Sequence, residues 1–286
     1  MNWKSIKNLS TVLLLGSLLA RPGFAAVSPI VGQDAHYKVK KGDTLYTIAK
    51  KYNLALEHLA FANHLPLEVT APVGRTLLIP SRHILPTVHP PTGLLINLPE
   101  RGVYLFKDNH FVAFYPIAIG EPGFKTPLGH FKINSMVKNP TWLPPAWAGK
   151  GEVVVPAGPN NPLGDRWMGL TAPGIGLHAT TEPMSVGANA SHGCMRMYPE
   201  LAHQLFLQVH KGMPAWIVYE PVKVGEDPKT QAPFMQVFPD VYHHNNTAHM
   251  AEKLVATDGL KSKLTAARLK QLLAHPNGIV EAFKPA

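Results

Sequence analysis

Between Gly93 and Glu220 the chain is cut into short apolar runs by turn residues, and this pattern restricts the fold more than any other feature. The runs "LLINLP", "GVYLF", "FVAFYPIAIG", "GHFKI", "VVVPAG", "IGLHA" and "AWIVYE" are separated by groups such as Lys107-Asp108-Asn109 and Pro122-Gly123. Short stretches rich in Val, Ile, Phe and Tyr between turn residues read as strands. A single segment in this region, "YPELAHQLFLQV", has a helical period, with Leu201, Leu205 and Val209 facing a core. The expected domain over 93–220 is a mostly-β sandwich with little helix.

The flanks follow different patterns. Residues 36–81 give a strand in "HYKVK", a helix opening in "GDTLYTIAKKY", a second helix in "LALEHLAFANHL" and a closing strand in "GRTLLIP". Asp43 or Thr44 is the expected N-cap of the first helix, Leu45, Ile48, Ala49 and Tyr52 form its apolar stripe, and Asn53 ends it. Residues 82–92, with their prolines and no apolar period, read as a semi-stiff linker. Residues 221–286 are expected to add a strand and two short helices, in an extension to which the sequence assigns no role. The class is α+β: a small βααβ module, a mostly-β sandwich and a short α/β extension.

Residues 1–25 read as a secretion signal. Lys4 and Lys7 make a positive start, Thr11 to Ala20 an apolar stretch, and Gly23 and Ala25 stand at −3 and −1 before Ala26. The apolar stretch falls short of the roughly 20 residues a bilayer span takes, so no integral membrane span is expected after cleavage. Formal charge is +9; losing Lys4, Lys7 and Arg21, with no acid among residues 1–25, leaves +6. The basic residues are scattered, which speaks against nucleic acid as a partner, while a mild positive field suits an anionic polymer outside the cytoplasm. Cys194 is the only cysteine in 286 residues. In an oxidising compartment a lone cysteine is a reactive thiol, half of an intermolecular bridge, or a small buried hydrophobe. Its neighbours Ser191, His192, Gly193 and Arg196 are poor company for a core and favour the reactive thiol.

A thiol attacks as its thiolate, and a free cysteine ionises only near ~8.5, so a base must stand close. His178 lies sixteen residues upstream on what reads as a separate strand, from which a fold can aim it at the sulfur. His192, two residues away, shares Cys194's side if the segment is extended, but stands about 6–7 Å along the strand. Geometry therefore favours His178 as base and His192 as support. Gly193 lets a substrate carbonyl approach the backbone, and the N–H groups of Gly193 and Cys194 can meet an oxyanion, each donor contributing about 2.7–4 kcal/mol in comparable sites. Ser191 can brace the turn. Arg196 suits a substrate carboxylate, yet it also stands four residues before Glu200, at helix pairing distance. Trp142, Trp147 and Trp167 are candidates for a groove, with packing the default for each. His243, His244 and His249 read as a solvated run, since no acid or cysteine joins them at ligand spacing; no metal or other cofactor is expected.

The stretch "YKVKKGDTLYTIAKKYNL", then Asn63 and "VGRTLLIP", resembles the LysM module. That resemblance implies two helices on a two-stranded sheet and binding of N-acetylglucosamine-containing glycan near Gly42, Asp43, Thr44 and Leu45 and the segment before Gly74; Arg75 departs from the family's frequent Gln. "GLHAT" followed by "SHGCMRMYPE", with "AIGEPGFKTPLGHFKI", "NPTWLPPAW" and "PNNPLGDRWMGL" upstream, resembles the L,D-transpeptidase (YkuD) catalytic domain over about 93–220. The resemblance implies Cys194 as acylated nucleophile, His178 as base held by the carbonyl of Ala179, Ser191, His192 and Gly193 as the oxyanion loop, Arg196 as the basic position near the donor, and Met195 and Met197 as apolar positions. It implies acyl transfer on peptidoglycan in the periplasm: attack on a tetrapeptide stem, loss of D-alanine, a thioester, and transfer to an amine of a second stem or of an outer-membrane protein. Water as acceptor gives an L,D-carboxypeptidase. A non-catalytic wall-binding module and a cysteine hydrolase of the same wall are the competing readings.

Overall fold

The computed structural model describes residues 28–67, 71–145, 148, 151, 153–257 and 260–284; the expected signal and Trp147 lie outside the described residues. The described chain begins with a strand, β1 (Ser28–Val31), and enters the small module: β2 (Ala35–Lys38), α1 (Leu45–Lys51), α2 (Leu56–Ala62) and β3 (Thr76–Ile79). Thr44, not Asp43, caps α1. Its hydroxyl accepts the Thr47 N–H, and Thr47 Oγ1 accepts the Thr44 N–H, each at 3.0 Å, a reciprocal capping box. Asn53 takes a left-handed φ of 54° just past the helix and ends it. Leu45, Ile48 and Ala49 then meet Leu56, Leu59, Leu77 and Ile79 in a core of their own. Asn63 ties α2 to β3, donating to Leu59 O and Leu78 O and accepting from Leu78 N, while Arg75 donates to the Asn63 carbonyl at 2.8 Å.

The segment expected as a linker carries β4 (His83–Ile84), with His83, Ile84 and Leu85 buried. Its prolines break helix but leave an extended backbone free to pair, and β4 pairs with β1, Ile30 opposite Ile84. The mostly-β domain follows as β5 (Gly93–Asn97), β6 (Gly102–Lys107), β7 (His110–Pro116), β8 (Ile119–Gly120), β9 (Gly129–Lys138), β10 (Arg166–Leu170), β11 (Gly176–Ala179), β12 (Asn189–Ser191), β13 (Met195–Met197), α3 (Pro199–Phe206) and β14 (Pro214–Val218). Its main sheet runs β13-β11-β10-β9-β14-β5-β6-β7, and β8 and β12 form a separate ribbon. The long β9 joins two halves of that sheet: residues 129–132 pair with β14 and residues 133–138 with β10. The sheet curls around Leu94, Ile96, Ile133, Met168, Leu177, Met195 and Met197, with Leu201, Leu205 and Val209 closing the core.

Local departures from the expected strands have simple causes. "FVAFYPIAIG" breaks into β7 and β8 at Pro116, which cannot donate to a ladder. "VVVPAG" forms only a bridge, Val155 to Trp142, because Pro156 stops the pairing and Val153 and Val154 stay exposed. The charged start of "RWMGL" hides β10, although it lies between β9 and β11.

The extension supplies β15 (Val222–Glu226), β16 (Pro233–Val237), α4 (Thr247–Thr257), α5 (Ala266–Ala274) and β17 (Val280–Ala282). It does not stand alone: its five-stranded sheet has the order β17-β16-β15-β1-β4, so both ends of the described chain and the expected linker share one layer. Beneath it Lys223 Nζ meets Glu100 Oε2 at 2.8 Å and Tyr104 Oη at 2.7 Å, and Glu100 Oε1 accepts from Tyr104 Oη at 2.6 Å. Lys223 and Glu100 are 3% and 2% exposed, so this ion pair has no help from water. The small module also rests on the larger domain. Lys50 pairs with Glu200 at 2.9 Å, Tyr198 Oη donates to Leu54 O at 3.3 Å, and the Tyr46 and Tyr198 rings meet edge to face at 5.9 Å.

Lys223→Met should therefore remove the ammonium from the buried Glu100 carboxylate and leave it only His83, Tyr104 and Asn97 as partners, lowering unfolding free energy by up to about 3–5 kcal/mol, whereas the double variant Lys223→Met/Glu100→Gln should recover much of that loss. Urea denaturation of the two variants checks this; equal losses in both would contradict the pairing.

Candidate active site

β11 and β13 lie side by side and parallel, in the register Leu177 to Met195, His178 to Arg196 and Ala179 to Met197. Side chains alternate across a strand. Leu177, Ala179, Met195 and Met197 thus fill the core, while His178 and Arg196 emerge on the opposite face, with Cys194 at the mouth of β13. Trp167 of β10 is opposite His178 and lays its ring along the imidazole, 5.9 Å between centroids. Trp167 Nε1 donates to Ser135 Oγ at 3.2 Å, so the indole is fixed from behind.

His178 is buried, with Nδ1 2.5 Å from the Ala179 carbonyl. A carbonyl only accepts, so Nδ1 carries the proton and Nε2 keeps its lone pair. Burial pushes the imidazole down to about 4, against the carbonyls of Ala179 and Leu163, which favour the charged form, and with the Arg196 charge, which opposes it. Cys194 is half-buried and its Sγ donates to Gly174 O at 3.2 Å. Burial raises the thiol above its ordinary value, and the backbone at Gly176 and the Arg196 charge offset only part of that. The resting pair is therefore thiol and neutral imidazole.

The cysteine loop is bent. Gly193 has φ 108°, a backbone that side chains rarely adopt. The bend corrects the extended geometry expected for residues 192–194: His192 is exposed and packs edge-on against Phe124 at 4.4 Å, not along a straight strand beside Cys194. Ser191 Oγ donates to the Cys194 carbonyl at 2.5 Å and accepts the Gly193 N–H at 3.2 Å. Of the two N–H groups expected to face an oxyanion, that of Gly193 is thus turned to Ser191. Arg196 does not pair with Glu200, which Lys50 takes; its Nη1 meets Glu182 Oε2 at 2.5 Å and Ser185 Oγ at 3.4 Å.

In the small module Asp43 accepts from Tyr37 Oη at 2.9 Å and from the Lys40 N–H at 2.7 Å, which hold its carboxyl below the usual range. With Thr44 capping α1 and Leu45 in the core, these side chains serve the fold, and Gly42 is exposed beside them.

Two buried polar residues near the site escaped the sequence reading. Asn161, fully buried, donates to the carbonyls of Pro140, Val155 and Pro156 at 2.8–3.1 Å and accepts from Leu163 N at 2.9 Å, bracing the loop beside His178. Thr126 stands behind Gly193, its Oγ1 donating to the Gly193 carbonyl at 2.9 Å. Their types predict polarity; only the fold reveals the partners. Among the described residues no group of three potential ligands is placed to hold a metal ion, and no helix is long and apolar enough to cross a membrane.

Comparison with known proteins agrees with this layout. The model of the L,D-transpeptidase catalytic domain (YkuD) matches residues 91–224, and that of the LysM domain matches residues 37–80. The chain is 36% identical over 219 residues to the probable L,D-transpeptidase YbiS of Escherichia coli K12, covering 70% of this chain and 69% of that one. To the probable L,D-transpeptidase YcfS of the same strain it is 34% identical over 217 residues, covering 71% and 68%. To the putative L,D-transpeptidase YkuD of Bacillus subtilis it is 29% identical over 162 residues, covering 57% and 85%. The chain belongs to the L,D-transpeptidase family and carries a LysM domain before its catalytic domain.

Two titrations follow. Thiolate absorbance of Cys194 should appear with a midpoint above the free-thiol value of ~8.5; a thiolate already formed at neutral pH would contradict a neutral resting pair. Stability should fall on acidification, because His178 and His58 are both pushed down to about 4 by burial while the unfolded imidazoles protonate near 6.5. The unfolded state then binds more protons between those values, so the contribution is complete above 6.5 and is lost as pH falls toward 4. Thermal melting across that window reads it, and a flat melting temperature would count against buried neutral histidines.

Proposed function

We propose that this enzyme is a peptidoglycan L,D-transpeptidase acting through Cys194 in the periplasm. The observation that supports the reading is the pairing of β11 with β13, which sets the segment that carries the half-buried Cys194 next to the strand of His178, an imidazole whose Nδ1 is committed to the Ala179 carbonyl. As a tetrapeptide stem binds, Nε2 of His178 takes the Cys194 proton and the sulfur attacks the carbonyl of the third stem residue. The backbone N–H of Cys194 faces the oxygen as it gains charge. Collapse breaks the bond to the terminal D-alanine, which leaves with the proton from His178, and a thioester remains. An amine then attacks the thioester, losing its proton to His178 and restoring the thiol. The amine is a lysine of an outer-membrane protein or the side-chain amine of a neighbouring stem, giving a 3→3 cross-link.

Neutral partners suit this sequence, since the base must be unprotonated at the outset and become an acid only after attack. Arg196, tethered to Glu182 on the same face, supplies positive charge toward the donor's carboxylate. Ser191 and Gly193 shape the loop, and His192 borders it on the solvent side. The LysM domain supports peptidoglycan as the partner, with glycan meeting the module along Gly42, Asp43, Thr44 and Leu45 through the backbone.

D-Alanine release from a disaccharide-tetrapeptide tests the assignment. Cys194→Ala should abolish it, His178→Ala should lower it by about 10²–10⁴-fold, and His192→Ala should lower it less. Turnover by Cys194→Ala would end the covalent reading, and tripeptide as the sole product beside every amine offered would make the enzyme a carboxypeptidase.

A further inference from the structure

The C-terminal extension, to which the sequence assigned no role, reaches under the cysteine loop. Tyr242 is buried, and its hydroxyl donates to the Gly120 carbonyl at 2.9 Å while accepting the Thr126 N–H at 3.0 Å. Thr126 Oγ1 in turn accepts the Gly120 N–H and donates to the Gly193 carbonyl, both at 2.9 Å. Four hydrogen bonds thus link the extension to the residue before Cys194 through two buried hydroxyls. The packing leaves little play. A side chain at Gly120 would lie 2.1 Å from the Phe124 carbonyl and 3.0 Å from Gly193 Cα. Tyr242 is itself anchored, its N–H donating to Tyr219 Oη at 2.9 Å and its ring stacked on Tyr219 at 5.9 Å.

The consequence lies in one peptide unit. The Gly193 carbonyl and the Cys194 N–H belong to the same planar group, and no described peptide bond is cis. In a trans peptide these two point in opposite directions. Drawing the Gly193 oxygen inward onto Thr126 turns the Cys194 N–H the opposite way, away from Thr126. A donor on the carbonyl also polarises the peptide and strengthens its N–H as a donor. Of the Gly193 and Cys194 N–H groups, that of Gly193 is turned to Ser191 Oγ, which leaves that of Cys194 for the reaction.

We infer that Tyr242 and Thr126 are positioning residues that set the Gly193–Cys194 peptide so that the Cys194 N–H meets the developing oxyanion, making the extension part of the catalytic apparatus. The inference rests on the acyl-transfer reading above. Oxyanion stabilisation matters for attack on a carbonyl and not for displacement at a saturated carbon, so two reagents separate it from general folding.

The test uses the full chain and the variants Tyr242→Phe, Thr126→Val and Thr126→Ser. Acylation of Cys194 by a carbapenem is followed at saturating reagent, its amplitude counts the competent thiols, and alkylation by iodoacetamide is measured alongside. Losing a direct oxyanion donor lowers rates by about 10²–10³-fold. Thr126→Val, which frees the peptide, should approach the lower figure. Tyr242→Phe, which loosens Thr126, should lose about 10-fold, a fraction of the loss of a whole donor. Thr126→Ser, which keeps the hydroxyl, should acylate like the wild type. Half-saturation, amplitude and alkylation should hold in all three. An unchanged limiting rate in Tyr242→Phe, or a parallel fall in alkylation, overturns the inference. Should Tyr242→Phe lose amplitude, its rate per competent thiol and the Val–Ser contrast at Thr126 still decide. A wild type that no carbapenem acylates removes the acyl-transfer reading itself.

Discussion

The parallel pairing of β11 with β13 is the constraint on which the rest of the site depends. It fixes Leu177 beside Met195 and Ala179 beside Met197, so burying those four side chains commits His178 and Arg196 to the other face. A slip of one residue would exchange the two sets, turning the imidazole into the core and the apolar chains into the cleft. The core thus constrains the site: the same burial that stabilises the sheet sets the His178 strand beside the strand that Cys194 leads into, which is what the proposed nucleophile and base require. Burial also acts on their ionisation, because desolvation lowers the imidazole and raises the thiol, which favours the neutral form of both.

Around this pair the chain is organised as one body. The LysM module lies against α3 through Tyr46, Lys50 and Leu54, and α3 begins directly after the Cys194 strand. On the other side β1, β4 and the extension share one sheet, and Lys223 of that sheet reaches the buried Glu100 of the catalytic domain. Tyr242 carries the same extension to the rear of the cysteine loop. Segments far apart in the chain thus converge on the back of the candidate site, while its other face is built from β10, β11 and β13 and the loops beside them.

Much of this was legible from residues alone. The turn-punctuated apolar runs gave the mostly-β domain, and the stripe Leu45, Ile48, Ala49 gave the first helix of the LysM module. The isolated thiol among Ser, His, Gly and Arg pointed to the segment proposed as the catalytic loop. What stayed hidden shares one cause, dependence on long-range partners. β1 and β4 are short, and β1 pairs not only with β4 but with β15, across much of the chain. Arg196 and Glu200 have the spacing of a helix pair, yet Arg196 lies on a strand and finds Glu182, while Lys50 of a different domain takes Glu200. Gly193 was read as room for substrate; its φ shows that it also turns the loop and so separates His192 from the straight geometry that spacing suggested. Asn161 and Thr126 carry no period or motif that reveals whose carbonyls they bind.

The most direct measurement is the intact mass of the mature protein after brief incubation with disaccharide-tetrapeptide, beside Cys194→Ala. The account predicts an adduct equal to the donor less D-alanine, confined to the wild type, located at Cys194 and released by hydroxylamine as a thioester should be. Turnover of the donor with no adduct under trapping conditions, or the same adduct on Cys194→Ala, would contradict it.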